Sequence, residues 1–83
     1  MSTTVTLLSK PGCHLCDDAR VIVSDVVADF PSVELVEKSI LDDPILRERY
    51  ADEIPVVLIN DRVHNIWRID PVRLRAALQE ETE

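Results

Sequence analysis

The spacing of apolar positions changes several times along this chain, and each change marks an element. Residues 4–8 form a β-branched, apolar run that suits a buried central strand. From His14 the period lengthens. Leu15, Ala19, Ile22, Val23, Val26, Val27 and Phe30 make one continuous helical stripe, which Pro31 is expected to stop. Its β-branched residues lower intrinsic helix propensity, so packing against a sheet must hold it. Residues 33–38 alternate roughly and predict a second strand at a sheet edge, reached from the first by a helical crossover and therefore parallel to it. Asp42 or Asp43 is expected to cap a short helix with Pro44 at its first position and Ile45, Leu46 and Tyr50 facing inward.

Residues 53–59 then predict a strand opened by a proline. Asn60-Asp61 is a hairpin signal, and residues 63–67 alternate as the return strand. Asp70-Pro71 begins a last helix with a stripe of Val72, Leu74, Ala77 and Leu78. The order β-α-β-α-β-β-α implies an α/β architecture: a four-stranded mixed sheet with helices on both faces. No repeat or low-complexity linker interrupts it, so residues 1–83 are expected to form one domain.

Charge narrows the function classes. Sixteen acidic residues against nine basic ones leave a net charge of −7, whereas nucleic-acid binding needs a clustered basic face. Arg47, Arg49, Arg68, Arg73 and Arg75 are interleaved with acids and are expected to lie on solvated faces, with Arg68 placed to help dock a partner. The tail Glu80-Glu81-Thr82-Glu83 is expected to be a frayed, solvated end. Apolar runs fall far short of the ~20 residues that span a bilayer, and Met1-Ser2-Thr3-Thr4 lacks the basic and apolar regions of a secretion signal. A cytoplasmic monomer, with neither nucleic-acid nor membrane partners, is the expectation. In that reducing compartment a lone cysteine pair points to catalysis, redox sensing or metal binding rather than to a staple. A bridge across two residues would also remove little unfolded-state entropy.

That pair lies in the stretch Ser9-Lys10-Pro11-Gly12-Cys13-His14-Leu15-Cys16, which also holds the chain's only glycine. Two thiols so spaced at a helix start can close a small disulfide ring, with Cys13 at the exposed end and Cys16 one turn in. The helix N-terminus favours thiolate over thiol, and thiolate attacks disulfides. Cys13 is therefore the expected nucleophile and Cys16 the resolving thiol. His14 and Lys10 are candidates for tuning the sulfur through positive charge or, for His14, a hydrogen bond. Asp17 and Asp18 stabilise the helix start but oppose a nearby thiolate. A closed zinc site needs four ligands, and only His14 and His64 could supply nitrogen beside the cysteines.

With this loop between a strand and a helix, the chain resembles the glutaredoxin branch of the thioredoxin superfamily, and in particular its small glutaredoxin-like proteins. The resemblance runs over nearly the whole length. It implies the thioredoxin fold in minimal form and a thiol–disulfide oxidoreductase working by a dithiol mechanism. Disulfide-containing proteins or small molecules would be its substrates, recycled by glutathione or by an enzyme like thioredoxin reductase, without a tightly bound cofactor. It further implies that Ile54-Pro55 is a cis-proline position beside the cysteines, where the Ile54 backbone pairs with an extended substrate.

The sequence also departs from glutaredoxins. His14-Leu15 stands where Pro-Tyr is common between the cysteines. Trp67-Arg68-Ile69-Asp70 stands where the family has a Gly-Gly turn and an acidic residue that hold glutathione. With no glycine there to let the backbone approach a ligand, these differences argue against glutathione as a bound ligand, and Asp70 is expected simply to cap the last helix. Trp67 is expected to finish the core, the alternative being to stack on a substrate. Two other readings remain at this level: a redox-sensing or metal-binding module that uses the pair without turnover, and an interaction domain that merely tolerates the cysteines.

Overall fold

A computed structural model describes residues 3–82. It has strands β1 (Thr3–Ser9), β2 (Val33–Ser39), β3 (Val56–Ile59) and β4 (Arg62–Ile66), and helices α1 (His14–Val27), α2 (Pro44–Tyr50) and α3 (Pro71–Thr82). The sheet order is β2-β1-β3-β4. β1 pairs parallel with β2 and antiparallel with β3, and β3 pairs antiparallel with β4. The expected β-α-β-α-β-β-α order and the edge position of the second strand are both observed.

Alternation along the central strands divides the interior in two. Val5, Leu7, Val57 and Ile59 pack with Ala19, Val23 and Val26 of α1 and Leu74 and Leu78 of α3. Leu8, Val56 and Leu58 form a second cluster with Ile40, Ile54 and Cys16, bordered by Leu46 and Tyr50 of α2. Helices thus cover both faces, and the N-terminal turn of α1 reaches the second cluster while the rest of that helix builds the first.

Element ends differ from the sequence expectation for local reasons. α1 closes at Val27 rather than running to Pro31, because its last bonds tighten to i→i−3: Asp29 N donates to Val26 O at 3.1 Å and Phe30 N to Val27 O at 2.9 Å. A single 3-10 turn, Ile40–Asp42, precedes α2 and buries Ile40. Asp43 is the cap of α2, accepting from Ile45 N at 2.9 Å and Leu46 N at 3.4 Å. β3 starts at Val56, after a cis Ile54–Pro55 peptide and a turn at residues 51–53.

Ile45, Val72 and Trp67, expected inside, are outside. Ile45 is 70% exposed because Leu46 and Tyr50, four apart, already define the inward face of a two-turn helix. Val72 is 76% exposed, two residues and roughly half a turn from Leu74, whose face with Ala77 and Leu78 meets the core. Trp67 does not finish the core. It is 54% exposed, and β4 ends before it because its φ of 63° lies in the left-handed region, which bulky residues rarely adopt. Two hydrogen bonds hold it: its backbone N–H donates to Pro55 O at 2.8 Å and its indole N–H to Asp52 O at 3.0 Å.

Asn60 and Asp61 both have positive φ, the geometry of a two-residue hairpin turn suited to these residue types. Asp70 caps α3 by accepting from Val72 N at 2.9 Å. The helix continues through most of the tail: Glu81 pairs with Arg62 at 2.6 Å and Thr82 Oγ1 donates to Leu78 O at 2.8 Å. Glu83, like Met1 and Ser2 at the other end, lies outside the described residues. Arg75 pairs with Asp29 and Arg47 reaches the Leu41 carbonyl, so these basic residues are spent on local contacts.

Candidate active site

β1 ends at Ser9 and α1 begins at His14, which leaves four residues to turn the chain. Gly12 makes that turn at φ 77°, in the left-handed region open to glycine, with nothing within 4 Å of where a Cβ would stand. Cys13 follows as the N-cap of α1. Its backbone is extended (φ −97°, ψ 112°), its carbonyl accepts from Asp17 N at 3.1 Å, and its sulfur accepts from Cys16 N at 3.3 Å. A cysteine here does what serine or aspartate usually does at a cap: it satisfies a free amide at the positive end of the helix.

Both cysteines are free thiols, Cys16 fully buried and Cys13 half-buried. Cys16 is pushed up to about 11, first by burial and then by the hydrogen bond its thiol makes to Cys13, while a backbone hydrogen bond from Lys10 pulls the other way. One sulfur is therefore held protonated beside another that accepts hydrogen bonds. Cys16 also sits three residues before Ala19 and seven before Val23, within the buried face of α1. The apolar spacing of that face passes through the cysteine, a signal that was available in the sequence and that a stripe begun at Leu15 overlooks.

Of the other candidate residues, Ile54 belongs to the same buried cluster as Cys16, with Cys13 packed against it, and Pro55 beside Ile54 is fully buried. The structure thus brings Cys13, Cys16 and Ile54 together and has the cis peptide beside them. Lys10 and His14 are exposed. Lys10 engages Cys16 through its backbone, and its side chain borders a recess with Gly12, Asp17 and Arg20. His64 lies apart, next to Ala77 of α3 and Glu80, so the two histidines do not meet at the thiols. Among the described residues no three His, Cys, Asp or Glu side chains converge as a metal-ligand group. None of the helices described is long and apolar enough to cross a membrane.

Two features escape sequence reasoning because they depend on tertiary placement. Leu15, expected on the buried stripe, is instead 42% exposed and faces Trp67 and Arg68 across a cleft of about 300 Å³ between α1 and the loop before α3. Glu37, on the edge strand, accepts from both Ser9 and Arg20 immediately behind the cysteine loop.

The chain is similar to known proteins in sequence and in fold. Residues 4–79 match the family model described as glutaredoxin-like domain (DUF836). An uncharacterised protein of Mycobacterium tuberculosis is 30% identical over 82 residues, covering 94% of this chain and 84% of that protein. A structural-genomics target from X. campestris, XcR50, superposes with a TM-score of 0.69 at 30% identity, over 92% of this chain and 96% of its own. The oxidised mitochondrial thioredoxin 3 of Saccharomyces cerevisiae shares the fold, with a TM-score of 0.71 at 13% identity, over 95% of this chain and 78% of that one. By family model and relatives together, the chain belongs to the glutaredoxin-like domain (DUF836) family, and its fold is thioredoxin-like.

Proposed function

We propose that the protein is a thiol–disulfide oxidoreductase that reduces disulfides through a Cys13/Cys16 dithiol. The observation that carries this reading is the asymmetry of the pair. The Cys13 sulfur caps α1 and takes the Cys16 N–H at 3.3 Å, while Cys16 is buried and held as a thiol. The Cys13 thiolate attacks one sulfur of the substrate disulfide, forming a mixed disulfide and expelling the other sulfur as thiolate, which takes up a proton. Cys16 then loses its proton and attacks the Cys13 sulfur. The Cys13–Cys16 disulfide forms, and the second substrate sulfur leaves as a thiol. Two electrons have passed from the dithiol to the substrate, and glutathione or a flavoprotein dithiol reductase must return them. The cycle uses no bound cofactor. Lys10 and His14, on the loop that carries the sulfur, tune it, and the backbone at Ile54-Pro55 receives the substrate chain as an added strand.

The test is reduction of a model disulfide by wild type, Cys13→Ser and Cys16→Ser, driven in turn by glutathione and by a flavoprotein reductase. Cys13→Ser is expected to lose turnover. Cys16→Ser is expected to accumulate a mixed disulfide that mass spectrometry detects. Limited alkylation near neutral pH should label Cys13 and spare Cys16. Equal labelling of both sulfurs, or turnover surviving Cys13→Ser, would remove the reading.

A further inference from the structure

One polar network grips both ends of the loop that carries Cys13. Ser9, the buried last residue of β1, donates through Oγ to Glu37 Oε2 at 2.8 Å. Arg20 donates to both oxygens of that carboxylate, from Nε at 2.8 Å and Nη2 at 2.6 Å, and from Nη1 to Asp17 Oδ1 at 2.8 Å. Ser9 precedes the loop and Asp17 follows it, so residues 10–13 leave and re-enter the fold through these contacts. With Lys10, Pro11, Gly12 and Ser39 they line a recess of about 340 Å³.

Single surface ion pairs contribute little, but a bidentate fork joined to further partners is the favourable exception. The ionisation of its members agrees. Glu37 is held below the usual carboxylate range by the Arg20 hydrogen bond and, after opposing burial, by the Ser9 hydroxyl. Arg20 is held above the usual guanidinium range by Glu37 first and Asp17 second.

Asp17 presents the conflict that Arg20 resolves. A carboxylate in the first turn suits the helix dipole, yet four residues beyond Cys13 its charge opposes a thiolate. Other charged or titratable groups around the loop are Lys10, His14, Asp18 and the Cys16 thiol, from β2 Glu37, which is already engaged by the fork, and from α2 Tyr50, packed against the cluster that Cys13 borders.

We propose that Arg20 is a positioning residue for Cys13: its fork between Glu37 and Asp17 ties the start of α1 to the sheet edge and neutralises the carboxylate one turn from the sulfur. This role rests on the dithiol reading and deepens it, since it names what keeps the nucleophile both placed and ionisable.

The experiment follows alkylation of Cys13 by iodoacetamide across pH, by mass spectrometry of the full chain, for wild type, Arg20→Gln, Arg20→Lys, Asp17→Asn and the Asp17→Asn/Arg20→Gln pair. Arg20→Gln is expected to slow alkylation near neutrality by about threefold and to move the profile to higher pH, the size expected of one nearby surface carboxylate. Asp17→Asn is expected to speed it, and the paired variant to return toward wild type. Arg20→Lys keeps the charge and should recover much of the loss. A profile of folded Arg20→Gln that superimposes on wild type overturns the proposal, as does a slowing that Asp17→Asn fails to reverse. If Arg20→Gln does not fold, Asp17→Asn decides alone, and an unchanged rate there is equally fatal. Wild-type Cys13 reacting no faster than an unstructured cysteine peptide would instead sink the dithiol reading, a result recognisable before any variant is made.

Discussion

The two faces of the sheet are built to different ends. Under α1 and α3 the cluster of Val5, Leu7, Val23, Val57, Leu74 and Leu78 is sealed and apolar. Under α2 and its 3-10 turn the cluster is smaller, includes Cys16, and is bounded by half-buried Cys13, Leu46, Tyr50 and Ile66. α1 serves both, with its N-terminal turn on the thiol side and its remaining turns in the sealed core. Stability and chemistry therefore share one helix but draw on different contacts, so they should separate under mutation.

The sharpest way to break that separation is a cavity in the sealed cluster. Leu78 is fully buried between α3 and the sheet, and Leu78→Ala is expected to destabilise the fold by about 2–5 kcal/mol. That is a large share of what holds a domain of this size, so urea denaturation should show it plainly. Molecules that remain folded should alkylate at Cys13 at the wild-type rate. If the rate per folded molecule falls with stability, the two faces are not independent.

On the thiol side the smaller change Ile40→Val should cost about 1 kcal/mol and act on chemistry as well. Ile40 shares its cluster with Cys16, whose burial is the main cause of its raised titration. Loosening that cluster is expected to make Cys16 more reactive toward iodoacetamide at mildly alkaline pH, which peptide mapping would detect. An equally destabilising change near Leu74 should leave Cys16 shielded.

How legible each region was follows from how local its causes are. Strand alternation, the Asn60-Asp61 turn and the Asp70 cap are set by neighbouring residues, and the sequence displays them directly, while at the start of α2 it leaves Asp42 and Asp43 open. The cysteine loop was equally readable, because a strand, a glycine turn and a helix start are all short-range. Ile45 is misplaced because a seven-residue helix has too few turns for its pattern to select one face, and Val72 because it stands in the first turn of α3, half a turn from the face set by Leu74, Ala77 and Leu78. Trp67 was misread because a left-handed φ in a bulky residue has no sequence signature. It depends on Pro55 and Asp52 carbonyls that only the folded chain brings near. The Ser9–Glu37–Arg20–Asp17 network was invisible for the same reason, since it joins β1, β2 and α1 across 28 residues of sequence.

Gly12 and Trp67 flank the two sides of the site with similar positive φ, one in open space and one held by hydrogen bonds. Because no atom lies within 4 Å of the position a Gly12 Cβ would take, Gly12→Ala introduces conformational strain without a clash. It is expected to destabilise the fold by about 1 kcal/mol. The same strain should displace the loop and slow Cys13 alkylation modestly in molecules that stay folded. An unchanged melting temperature would show that the loop relaxes to another turn.

The smallest expected effect belongs to the sealed side. The His64 Nε2 atom is buried with no hydrogen-bond partner, and the ring is held below the usual imidazole range by burial first and by Arg73 second. Because its folded titration lies below its unfolded one, the unfolded chain binds more protons as pH falls through about 6.5, and the fold loses stability there. The contribution is fully present above that range and is lost as pH drops toward the folded midpoint. Arg62, Glu80 and Glu81 lie beside the ring, so a His64→Leu comparison is what separates its share of the drop from that of other groups. Urea midpoints for wild type and His64→Leu between about pH 8 and pH 5 provide the measurement. Wild type should lose slightly more stability than the variant, with Cys13 alkylation per folded molecule responding to pH alike in both. Parallel stability curves would show that the ring reaches solvent and that the cluster under α3 is less sealed than the comparison of the two faces requires.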